Sequence, residues 1–110
     1  MEMPPEIPEI DAPDAAAQLV NGEAVFVDMR DPMSYRNSHI PGALQVTDET
    51  IGAFLENTSR DQKLIVYCYH GHNSLGGTAF FLDQGFRDVA SLRGGFEEWR
   101  SEHPVEGEQA

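Results

Sequence analysis

Short apolar runs alternate along this chain with stretches whose apolar positions recur at helical spacing. "DAPDAAAQLVNG" (Asp11–Gly22) sets alanine and leucine between a capping aspartate and an Asn-Gly stop, which predicts a helix. "EAVFVDMR" (Glu23–Arg30) is a β-branched and aromatic run, a buried strand ending near Asp28 to Arg30. "DPMSYRNSH" opens with a capping aspartate and a proline at the first helical position, so a short helix follows. "IPGALQV" begins with turn chemistry and ends as a strand. In "TDETIGAFLEN" a Thr/Asp cap precedes Ile51, Phe54 and Leu55 on one helical face.

"KLIVYC" (Lys63–Cys68) is the most apolar run and is expected at the centre of the sheet. "NSLGGTAFFLDQG" follows as a helix with Leu75, Ala79, Phe80 and Leu82 on its apolar face and Gly85 as its stop. "DVASLRGG" predicts a further strand, and "GFEEWRSEH" a last helix that stops before Pro104. Strands alternating with helices across short connections mean an α/β domain with a mainly parallel sheet. One domain is expected over residues 8–104, with a flexible arm over 1–7 and a polar, flexible tail over 105–110.

Composition narrows the function. The chain has 110 residues, 40% hydrophobic and 24% charged, enough for one core. Its net charge of −12 repels phosphate backbones and anionic membrane, so neither nucleic acid nor a membrane is an expected partner. No apolar run approaches a membrane span, and the acidic, proline-rich start carries no secretory pattern. The expected location is cytoplasmic, where the single cysteine stays reduced.

That cysteine, Cys68, ends the most apolar strand and stands before a helix start, in "CYHGHNS". A cysteine ending an apolar strand is ordinarily a packing residue. The loop argues otherwise. In an open parallel sheet, ligands bind beyond the carboxyl ends of the strands. Loop N–H groups turned inward, with the positive end of the following helix, favour an anion and hence a thiolate. Gly71 suits so tight a loop. A nucleophile in an anion-binding nest suggests covalent catalysis on a small anionic group.

These pieces resemble the single-domain rhodaneses. "VFVDMRDPMSYRNSHIPGAL", "TIGAFL", "CYHGHNS" and "FLDQGFRDVASLRGGFEEW" occur in the family's order and spacing. The resemblance implies a rhodanese-like domain of about five strands with helices on both faces. It also implies a thiosulfate sulfurtransferase. Cys68 would take the sulfane sulfur of thiosulfate as a persulfide and pass it to cyanide, a dithiol or reduced thioredoxin, without metal or organic cofactor. Tyr69, His70, Gly71, His72, Asn73 and Ser74 carry over as the persulfide cradle. Asn73 and Leu75 stand where many relatives have basic residues, so modest thiosulfate affinity is expected.

Other residues read as structural. His39 is expected to bond backbone near a turn, and Asp28 and Arg30 to pair or brace a loop beside the site. Phe96 and Trp99 read as helix packing, and Arg93 as a residue at the pocket mouth. The two histidines of "CYHGH" fall short of the four ligands or so that a closed zinc site needs. A phosphatase reading fails because the loop has Ser74 where an oxyanion-gripping arginine would stand. A non-catalytic binding module and a thiol redox sensor are the remaining alternatives.

Overall fold

Strands and helices alternate throughout the computed structural model, which describes residues 6–109. In chain order they are β1 (Glu9–Ile10), α1 (Ala12–Asn21), β2 (Val25–Asp28), α2 (Pro32–Asn37) and β3 (Leu44–Gln45). Then come α3 (Ile51–Asn57), β4 (Leu64–Tyr67), α4 (Asn73–Asp83), β5 (Val89–Leu92) and α5 (Gly95–Glu102). The strands form one five-stranded sheet in the order β1-β5-β4-β2-β3, and every pairing is parallel.

β4 is the central strand, as its composition predicts. All four of its residues are fully buried. Strand side chains alternate faces, so Leu64 and Val66 join one core and Ile65 and Tyr67 the other. Phe26, Leu92, Phe96 and Trp99 complete the layer that holds α1 and α5, while Val27, Phe81, Phe86 and Val89 complete the layer of α3 and α4. Burying one such aliphatic or aromatic side chain contributes about 1.5–3 kcal/mol. Parallel strands covered on both faces leave their carboxyl ends as the open side of the molecule.

Local chemistry sets the starts of α1 and α2. Asp11 accepts the Asp14 N–H at 3.0 Å, and Asp31 accepts both the N–H and the hydroxyl of Ser34. α3 departs from expectation. Thr50 precedes the helix without a side-chain cap, and the Thr47 and Thr50 side chains instead bind backbone N–H groups inside the preceding turn. α4 departs too. It buries Ser74, Gly77, Thr78 and Phe81, and it leaves Phe80 exposed. The predicted face was displaced because the helix packs closely through small residues, not through its largest ones.

The ends also differ from the simple reading. The expected N-terminal arm lies largely outside the described residues. β1 is too short to announce itself in the hydrophobic pattern, and it pairs with β5. Residues 105–109, read as a tail, are tied back. Glu106 and His39 exchange backbone hydrogen bonds, and the Glu108 and Gln109 N–H groups donate to carbonyls at the end of α2.

Candidate active site

Cys68 follows β4 directly, at the open edge of the sheet, and the loop to α4 wraps its sulfur. Cys68 Sγ accepts the Gly71 N–H and the Ser74 N–H, each at 3.2 Å, and lies 3.3 Å from Ser74 Oγ. The first N–H groups of a helix have no partner within it. His72, the residue before α4, gives no side-chain cap, so the sulfur fills that role for Ser74.

α5 holds the loop from behind. The Phe96 and Glu97 N–H groups donate to the carbonyls of Cys68 and Tyr69 at 2.8 and 3.0 Å. Across a trans peptide the N–H points opposite to the carbonyl. A Tyr69 carbonyl drawn toward α5 therefore turns the His70 N–H toward the sulfur. Such close approach needs bare backbone. A Cβ on Gly95, which has φ 63°, would overlap the Tyr69 carbonyl, and a Cβ on Gly71, at φ 89°, would crowd Gly94.

Burial pushes the Cys68 thiol pKa up. The Ser74 hydroxyl and the N–H groups of Ser74, Gly71 and His70 outweigh that effect and hold it below the ordinary thiol value. Behind Ser74 lies Ser91, a fully buried serine of β5, with the two hydroxyl oxygens 2.7 Å apart.

The nearest guanidinium is committed elsewhere. Arg30, its side chain 1% exposed, pairs with Asp28 at 2.7 Å and donates to the Ser38 carbonyl at 2.6 Å. Its charge also lies over the rings of Phe96 (4.1 Å) and Tyr69 (4.9 Å). Arg30 thus braces the loop while Asp28 neutralises it. The cavity at the sulfur, about 390 Å³, is lined by Met29, Arg30, Asp31, Tyr69, His70, His72 and Asn73 besides Cys68.

The residues predicted from the sequence meet here, in different ways. Gly71 and Ser74 touch the sulfur, His70 contributes its backbone, and His72 and Asn73 line the cavity. Tyr69 is anchored by its hydroxyl to Ser34 at 3.0 Å. His39 bonds the Tyr35 carbonyl through Nδ1 at 2.6 Å, the backbone contact expected of it. Arg93 does not face the cavity: it points to Glu9 on β1, 3.7 Å away. Sequence reasoning missed Ser91. Its signal was a lone hydroxyl on the strand face that Val89 also occupies.

Comparison with known proteins identifies the family. Residues 11–102 match the Rhodanese-like domain. The chain is 44% identical over 95 residues to thiosulfate sulfurtransferase GlpE of Pseudomonas paraeruginosa, covering 86% of each protein. A protein of unknown function from Rhodopseudomonas palustris, described as a possible tyrosine phosphatase, is 30% identical with a TM-score of 0.77, over 91% of this chain and 85% of that one. The rhodanese-like domain of an Anabaena protein shares the fold alone, with a TM-score of 0.84 at 23% identity, over 94% and 82% of the two chains. A domain match over so much of its length, with that degree of identity, makes this chain a member of the rhodanese family.

Proposed function

We propose that this chain is a thiosulfate sulfurtransferase that works through a persulfide on Cys68. The observation that carries the reading is the convergence of the Gly71 N–H, the Ser74 N–H and the Ser74 hydroxyl on one sulfur. It is supported by 44% identity to a protein named for that activity. The Cys68 thiolate attacks the outer sulfur of thiosulfate, the S–S bond of the donor breaks, and sulfite leaves with the bonding pair. The enzyme keeps Cys68–S–S⁻. Loop N–H groups suit both anionic states because they are fixed dipoles that need no reorganisation. An acceptor thiolate or cyanide then attacks the outer sulfur and releases Cys68 as thiolate. Dithiols, reduced thioredoxin among them, are acceptors of the right chemistry, and a reducing cytoplasm suits the cycle.

The electrostatics favour a donor of low charge. Arg30 is neutralised by Asp28, and Asp31 stands at the cavity wall with its carboxyl held below the usual range by the Ser34 side chain and backbone. Thiosulfate is therefore expected to bind with modest affinity, held by backbone N–H groups. The same arrangement is poor for aryl phosphate, since the loop offers no arginine to grip three oxygens.

Intact mass tests the reading. Treatment with thiosulfate should add one sulfur, about 32 Da, to be removed by cyanide and never gained by Cys68→Ser. A folded protein whose Cys68 alkylates yet gains no mass would refute it.

A further inference from the structure

Beside the thiol cavity runs a larger groove of about 600 Å³, between the loop after β2, the loop before α3 and one flank of α4. The two spaces share Met29, Arg30, Asp31 and Asn73 as walls, so they adjoin. A volume of this size fits a small organic molecule. We propose that this groove seats the sulfur acceptor, and that the acceptor is a small organic thiol with an apolar body and a neutral or cationic end. The proposal rests on the sulfurtransferase reading above.

Three observations carry it. The first is lining. Met29, Val46, Ile51, Phe80 and Phe81 form the walls, and Phe80 is 41% exposed although it is a large aromatic residue. The second is charge. Asp31 and Asp48 line the groove, and its one lining cation, Arg30, is held by Asp28. An anionic acceptor would meet uncompensated carboxylates, while a cationic one would meet partners. The third is Gly76. Glycine inside a helix costs about 1 kcal/mol relative to alanine. At neighbouring Gly77 packing explains it, since a Cβ would overlap the Met29 sulfur. At Gly76 nothing lies within 4 Å of where a Cβ would stand. The helix gives up stability there and leaves the groove wall bare.

The chemistry balances without a further reagent. The acceptor's sulfur, as thiolate, forms a new S–S bond to the outer persulfide sulfur as the bond to Cys68 breaks. Cys68 departs as thiolate, and the acceptor's thiol proton has gone to solvent. The apolar body lies along α4 while its sulfur reaches past Asn73.

The test uses protein loaded by thiosulfate, with loading confirmed by mass. Discharge is then timed at equal thiolate concentration with four probes. Benzyl mercaptan is expected to outpace 2-mercaptoethanol by about tenfold at low concentration, and to saturate. Cysteamine is expected to outpace 3-mercaptopropionate by about threefold or more. Gly76→Leu, a helix-favouring change into open space, should lower the benzyl mercaptan rate relative to the cyanide rate. Asp48→Asn should bring the cysteamine and mercaptopropionate rates together. Equal rates for all four probes, or a benzyl-to-cyanide ratio untouched by Gly76→Leu, would overturn the groove assignment and leave the persulfide reading intact. A protein that never loads would overturn both.

Discussion

The hydroxyl oxygens of Ser74 and Ser91 lie 2.7 Å apart, both fully buried, with Cys68 Sγ 3.3 Å beyond Ser74. A thiolate can only accept hydrogen bonds. If Ser91 donates to Ser74 and Ser74 donates to the sulfur, every hydroxyl proton in the row is used. With a neutral thiol donating to Ser74, the row reverses and the Ser91 proton points away from it.

Ser91→Ala should therefore raise the Cys68 pKa, because the Ser74 hydroxyl would lose the donor that polarises it and leaves its own proton for the sulfur. The readout is the pH profile of Cys68 alkylation. Ser91→Thr, which keeps the hydroxyl, should restore the profile, and Ser74→Ala should shift it further than Ser91→Ala. A Ser91→Ala profile identical to wild type would show that Ser91 only packs.

Because the folded-state pKa of Cys68 is lowered, ionisation of the thiol favours the folded protein. That contribution is fully present above the unfolded thiol's pKa. It shrinks as pH falls and is gone below the folded value. Unfolding free energy of wild type minus Cys68→Ala should rise with pH across this window, and sulfur uptake should fall away on its acid side. A difference independent of pH would contradict the lowered pKa.

Gly95→Ala should disable the site more than the fold. The new methyl would overlap the Tyr69 carbonyl, and φ 63° is strained for any L side chain. A loss of about 1–3 kcal/mol in stability is expected, with a much larger loss of sulfur loading. Thermal unfolding and intact mass on the same sample separate the two.

Asp28→Asn should destabilise the protein by about 3 kcal/mol, because Arg30 would remain buried without its counter-charge. A lower urea midpoint with an unchanged slope would report it. Loss of the brace under Tyr69 should slow sulfur loading as well.

Most of the fold was legible because its signals are local. β4 is apolar from Leu64 to Tyr67, and Asp11 and Asp31 cap helices as their positions suggest. The cysteine loop was legible too, as chemistry standing between a strand and a helix. What stayed hidden depends on distant chain meeting. Ser91 matters only because β5 lies beside β4, and nothing in "DVASL" says which helix its hydroxyl will meet. Arg93 was read as facing the pocket, but its direction depended on β1, a strand of two residues. The face of α4 was misjudged because size and hydrophobicity pointed to Phe80, while close packing against the sheet selected Gly77 and Thr78.

The sulfur that caps α4 gives the helix a second dependence. When Cys68 is a thiolate, its negative charge meets the Ser74 N–H directly. Once sulfur is loaded, that charge moves one atom outward and the cap becomes a neutral thioether-like sulfur. The first turn of α4 should then loosen on loading and tighten on discharge, visible as faster amide exchange at Ser74 in the persulfide form. The helix that walls the groove would thereby register, in its first turn, whether the enzyme is carrying cargo.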